Sequence, residues 1–234
     1  TTDGTQRLPA EAGARVVGFA RFLHTNGGVM YRRGAGIERP RDMADKRLQY
    51  PGAPGPGGPA IVRTMIEADG GAPGAELTPV NNGFMHTDAL LEGKADLATL
   101  VFYNFEVVEA RHRGADVGFF ALKDWGVPDF CQLVLITSSD DFEKKRALLA
   151  RLLGVIQRGI DFIKQRPDDA RAIYERATGQ AASEGLGRAI FDATVPCFTY
   201  DFSMARDYYA SLERWMLATG QIEALPAPGY WSNE

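Results

Sequence analysis

The chain has 234 residues, 45% hydrophobic and 24% charged, with a formal net charge of −4. That length can bury one large core or two small lobes, and the acidic balance excludes the basic face that nucleic acid requires. No apolar run approaches the roughly 20 residues that span a bilayer, and the three histidines and two cysteines lack metal-ligand spacing.

Ala14 to Leu23 and Gly28 to Arg32 are apolar enough for strands, broken at Thr25-Asn26-Gly27. Arg39 to Lys46 is a polar helical turn. Glu38 and Asp42 interrupt the cluster Arg32, Arg33, Arg39 and Arg41, which marks a solvated surface. Leu48 to Tyr50 is a short strand, and the loop Tyr50 to Gly58 carries four glycines and three prolines. That loop lacks the Lys and Ser/Thr of a phosphate-binding loop, and its prolines remove donors. Tyr50, Pro51 and Gly52 therefore read as a rigid cleft wall. Pro59 to Ala68 is a helix with Pro in its first turn. Ile61, Val62, Met65 and Ile66 form its core stripe, and Gly70-Gly71 stops it.

A strand near Glu76 to Val80 leads to Asn82 and Gly83, which are either a simple turn or ligand contacts at a strand end. A helix from about Met85 to Glu92 follows, then a strand Leu97 to Phe102, a helix Glu106 to Arg113 and a strand Val117 to Ala121. Such strand-helix alternation with short connections predicts a parallel, right-handed arrangement. Phe130 to Thr137 is one more strand. Ser138-Ser139-Asp140-Asp141 is an N-cap cluster that starts a long helix reaching about Lys164, with Leu148, Leu149, Leu152, Leu153 and Ile156 on one face. Pro167 to Ala177, Ala182 to Ala193 and Met204 to Thr219 are further helices, and the tail from Ala224 is an irregular wrap. Tyr200, Tyr208, Tyr209 and Trp215 are expected to be packing residues, and Cys131 and Cys197 two buried thiols.

The stretch Ala95 to Glu106, ADLATLVFYNFE, carries the most chemistry. Its apolar run ends in Tyr103, Asn104 and Glu106, and in open α/β sheets ligands bind past the carboxyl ends of the strands. A flat face, an amide and a carboxylate suit a small planar molecule bearing an amine. Each residue has a plainer reading. Glu106 can be a first-turn acid favoured by the helix dipole, Tyr103 strand-end packing and Asn104 a turn residue. Phe102 and Phe105 are expected in the core. Trp125, flanked by Asp124 and Asp129, either lines the cleft or packs at a crossover; His24 and Asn26, at the other crossover, are weaker candidates.

The ordered phrases RDMADKRLQYPGAPG, ALLEGKADLA, FYNFE, DWGVPDFCQLVLITS and the closing Trp215, Met216, Gly220 and Ile222 resemble the pyrimidine-precursor-binding branch of the type II periplasmic solute-binding proteins of ABC importers. The resemblance covers nearly the whole chain. It implies an α/β fold of two lobes with parallel-type sheets and a helical C-terminal segment. Residues 1–38 would be a remnant of lobe one and a crossover strand, 39–131 lobe two, and 132–234 the return crossover and C-terminal helices. The strand-helix-strand-helix opening of lobe one has no counterpart here, so the chain is expected to be a fragment.

The resemblance further implies a thiamine-related pyrimidine or similar heteroaromatic ligand. Glu106 would pair with its amino edge, Tyr103 would stack on it, and lobes would close about crossovers near Leu23 and Gln132. No cofactor and no metal are implied. The partner is a membrane permease, and the location periplasmic or extracellular and lipid-anchored, although the opening TTDGTQRLPAEAG holds no signal pattern. Catalysis lacks a constellation here. The thiamine-pyrimidine synthases of this fold use a lysine-bound pyridoxal phosphate and a cysteine-rich motif, and no cysteine-rich run exists in the chain. That synthase and a ligand-binding sensor domain are the alternatives.

Overall fold

The structure is a computed structural model that describes residues 16–128 and 133–233. They divide into two compact units: residues 16–25, 133–213 and 224–233 form one, and 26–128 and 214–223 the other.

In the first unit, strands β1 (Val16–Leu23) and β7 (Leu133–Ser138) pair antiparallel, from Val16 opposite Ser138 to Leu23 opposite Leu133. The tail occupies the other side of β1. Gly18 N–H donates to the Tyr230 carbonyl (2.8 Å), and Ser232 N–H donates back to the Gly18 carbonyl (2.9 Å). The predicted wrap is thus a hydrogen-bonded one. Val134, Met204 and Tyr209 make the local core, with Tyr209 stacked on Trp231 at 5.1 Å.

Helix α4 (Ser139–Gln165) starts where the sequence places it, with Ser138 Oγ accepting the Asp141 N–H (3.1 Å). Among its described residues only Phe142 and Ile160 are buried. Of the predicted apolar face, Leu149, Leu153 and Ile156 are half-buried, whereas Leu148 is 51% and Leu152 41% exposed. Helices α5 (Pro167–Thr178) and α6 (Gly185–Thr194) follow, then α7 (Arg206–Ala218), whose last turns belong to the second unit. There Trp215 Nε1 donates to Thr64 Oγ1 at 3.0 Å. Cys197 is half-buried with its thiol on the Ala193 carbonyl. Cys131, Asp129, Phe130 and Gln132 lie outside the described residues.

The second unit holds a five-stranded sheet in the order β4-β3-β5-β2-β6. Its strands are β2 (Gly27–Arg32), β3 (Arg47–Gln49), β4 (Thr78–Val80), β5 (Leu97–Phe102) and β6 (Val117–Ala121). The expectation of a parallel sheet needs correction, because the sheet is mixed. β3 runs parallel to β4 and β5, whereas β2 pairs antiparallel with both β5 and β6. Strand-helix alternation fixes only the strands that helices connect. These are β3 to β6, joined by α1 (Gly57–Ala68), α2 (His86–Leu91) and α3 (Glu106–His112). β2 enters without a preceding helix, reaches β3 through 3-10 turns and inserts between β5 and β6. Gly27 to Arg32, grouped above with lobe one, pairs inside this sheet.

Helices α2 and α3 cover one core, in which Ala89, Leu90, Val107 and Ala110 meet Met30, Ala98, Val101 and Val117. Helix α1 packs on β3 and β5 outside that cluster, with Ile61, Val62, Met65 and Ile66 buried as the periodicity predicts. Full burial of such side chains contributes about 1.5–3 kcal/mol each. Leu100 is the extra residue of a bulge opposite Gly28 and Val29 and adopts φ +62°, a left-handed conformation rare outside glycine. Gly28 is required beside it, since a Cβ there would lie 2.2 Å from the Phe119 ring.

Candidate ligand site

The predicted residues converge on one edge of the second unit's sheet. Tyr50, Pro51 and Gly52 follow β3, and Asn82 and Gly83 follow β4. Tyr103, Asn104 and Glu106 follow β5, and Trp125 follows β6. Because these four strands run the same way, all nine residues lie at carboxyl ends, where the open sheet leaves backbone groups and loops for a ligand.

The β3 and β4 loops are locked together by Gln49, a residue the sequence reading passed over. Its side chain is fully buried. Oε1 accepts the Asn82 N–H and Nε2 donates to the Gly83 carbonyl, both at 2.8 Å. A polar residue inside the short apolar strand Leu48-Gln49-Tyr50 was the available signal. Asn81 Nδ2 donates to the Ala53 carbonyl (3.1 Å), which ties in the glycine-proline loop. Tyr50 does not face the opening. It is buried, donates its hydroxyl to the Gly55 carbonyl (2.8 Å) and lies under Gly58, where a Cβ would stand 2.5 Å from the ring. Burial raises its phenol pKa. Tyr50 therefore supports the wall from beneath, while Pro51 and Gly52 form its surface.

After β5, Glu106 bends back so that Oε2 accepts the Phe102 N–H at 2.8 Å. Burial raises its carboxyl pKa, opposed by the backbone N–H groups of Phe102 and of Glu106 itself. The carboxylate thus stabilises its own strand-helix turn. Asn104 is buried beside it, and Tyr103 is 43% exposed. The Tyr103 ring meets Phe119 edge-on at 5.3 Å, and the Arg111 guanidinium lies 5.6 Å from its centroid. Phe105, expected in the core, is instead exposed, and Phe102 is half-buried. Trp125 is half-buried against Phe120, itself stacked on Tyr31 at 4.6 Å. It stands beyond β2 from the β5 group. Phe84, 80% exposed, and Met85 add an apolar tip to the β4 loop.

Next to that tip His86 is fully buried, and neither ring nitrogen has a hydrogen-bond partner among the described residues. Desolvation pushes its pKa down to about 4. Among the described residues no group of His, Cys, Asp and Glu could hold a metal ion, and no helix is long and apolar enough to cross a membrane.

The family model "NMT1/THI5 like" matches residues 3–170. The chain belongs to the NMT1/THI5-like family. It is similar to the formylaminopyrimidine-binding protein of Halalkalibacterium halodurans, with 29% identity over 142 residues. That match covers 61% of this chain and 42% of the relative, so the chain spans less than half of the curated relative's length.

Among solved structures it superposes on the periplasmic aliphatic sulphonate binding protein SsuA of Escherichia coli with a TM-score of 0.71 and 12% identity, over 96% of this chain and 71% of SsuA. A ligand-binding component of an ABC-type import system from Staphylococcus aureus gives 0.65 at 11% identity, over 95% and 73%. The desulfurization enzyme DSZB gives 0.56 at 15%, over 97% and 80%. These likenesses establish the α/β fold of the type II periplasmic binding proteins for this NMT1/THI5-like chain.

Proposed function

We propose that this NMT1/THI5-like chain is the ligand-binding component of an ABC importer for a formylated or free aminopyrimidine related to thiamine. The observation that carries the reading is the similarity to the formylaminopyrimidine-binding protein. The carboxyl edge described above supports it chemically. Tyr103 offers an exposed aromatic face, and Glu106 offers a carboxylate suited to an amino group and a neighbouring ring nitrogen. The backbone of Asn82 and Gly83, held by Gln49, and the wall at Pro51 and Gly52 bound the same edge. A membrane permease is the partner in this reading, and the compartment is periplasmic or extracellular.

Calorimetry with a formylaminopyrimidine, the corresponding free aminopyrimidine and an aliphatic sulfonate tests it. Saturable heat with the pyrimidines and none with the sulfonate is expected. The reverse pattern overturns the ligand class.

The likeness to DSZB is one of fold, and the competing reading is a pyridoxal-phosphate-dependent thiamine-pyrimidine synthase of the same fold. Incubation with pyridoxal phosphate and iron separates the two. The transport reading expects neither a Schiff-base absorbance nor a pyrimidine product, and either one would replace it.

A further inference from the structure

The opposite, amino edge of the second unit's sheet carries an open pocket of about 280 Å³ between the end of α2, the start of β6 and the turn after β2. Leu90, Leu91, Ala115 and Val117 supply apolar walls, and Arg32 and Asp116 the polar groups. Binding pockets are commonly apolar with a few polar groups that orient the ligand.

Arg32 is the unusual member. Its Nε is buried without a hydrogen-bond partner among the described residues, and its Nη2 reaches Asp96 Oδ1 only at 3.5 Å. That carboxylate is already claimed by Arg47, whose Nη2 and Nε approach it at 2.8 and 3.0 Å and whose backbone N–H donates at 3.1 Å. A guanidinium has five N–H donors, and with the side chain 38% exposed the Nη groups of Arg32 are open to an acceptor beyond the long Asp96 contact. The exposed carboxylate of Asp116 lies 3.3 Å from Arg33 Nε. The charged residues that line the pocket are Arg32 and Asp116, and the neighbouring Arg33 and Arg47 are engaged with Asp116 and Asp96.

We propose that this pocket is a second binding site, separate from the carboxyl edge, for a small carboxylate with an apolar body. The carboxylate receives hydrogen bonds from the Arg32 guanidinium, and the apolar body packs on Leu90, Leu91 and Val117. The site does not depend on the pyrimidine reading, because it shares no residue with the carboxyl edge.

Benzoate is the probe, and benzamide its neutral counterpart. In a titration of the isotopically labelled chain, benzoate is expected to saturate with a Kd of about millimolar order and to shift the amides of Gly34, Leu91 and Val117. The amides of Asn82, Gly83 and Tyr103 should stay in place. Arg32→Gln should weaken benzoate about tenfold or more. Leu91→Trp, which fills the pocket while Arg32 itself is retained, should abolish binding, so the test survives if the Arg32 variant folds poorly. Equal binding of benzamide, unchanged affinity in both variants, shifts confined to the carboxyl edge or no saturation would each overturn the site.

Discussion

At Glu106 the carboxylate that would meet a ligand's amino group also accepts the Phe102 N–H, so two variants separate the roles. Glu106→Gln keeps an acceptor for Phe102 and removes the charge. It should preserve stability while weakening aminopyrimidine binding by about 1.5–3 kcal/mol, the scale of a hydrogen bond to a charged group. Glu106→Ala strips the acceptor and should cost about 1–3 kcal/mol of stability in urea unfolding as well. Unchanged affinity in the Gln variant would remove Glu106 from the site.

His86 sets a pH dependence instead. Its pKa is lowered from 6.5 to about 4 by burial, so the unfolded chain binds the proton more readily. The stability it contributes is complete above about pH 6.5 and is lost as pH falls toward 4, a difference of about 3 kcal/mol. Urea unfolding from pH 7 to 4 should show that slope, and His86→Leu should flatten it. The raised carboxyl of Glu106 works in the opposite sense, losing its contribution as pH rises. The His86 effect is therefore read as the difference between wild type and variant.

Gln49 shows how one side chain joins two elements at the site. Gln49→Leu preserves size but leaves the Asn82 N–H and the Gly83 carbonyl without their partner. It should destabilise by about 1–3 kcal/mol and should speed hydrogen exchange at the Asn82 amide far more than at Met30 in the core. Equal acceleration at both would mean general loosening rather than release of the β4 loop.

Helix periodicity and apolar runs made most elements legible. The sequence reading of β5 at Leu97 to Phe102 and of β6 at Val117 to Ala121 matches the observed bounds, and Ser138 caps α4 as expected. Strand direction was hidden at β2, because no helix announces how it enters the sheet. The carboxyl-edge grouping was legible from strand ends, but side-chain direction was not. Tyr50 follows a strand just as Tyr103 does, yet the missing Cβ of Gly58 lets its ring sink into the core. Phe105 follows the same strand end and stays exposed. Such differences depend on neighbours distant in sequence, which local pattern does not carry.

Across the whole chain the two units bury their cores unequally. The second unit packs Met30, Leu48, Met65, Ile66 and Leu97 with essentially no exposure, around a five-stranded sheet. The first has a two-stranded sheet and a 27-residue helix with two buried side chains among those described. Local stability follows buried apolar contact and protected backbone hydrogen bonds, and it can vary from near zero to the global value within one protein. Residues 148–158 of α4 should accordingly open at low denaturant, exchanging their amides well before those of β2 and β5. Limited proteolysis should cut first in the same helix. A two-state unfolding curve by one probe would not contradict this, since sub-global opening precedes the cooperative transition. Native-state hydrogen exchange in increasing urea gives the decisive comparison. If residues 148–158 are as protected as Ala98 and Met30, α4 is stabilised by something other than its own buried face, and the ranking of the two units is wrong.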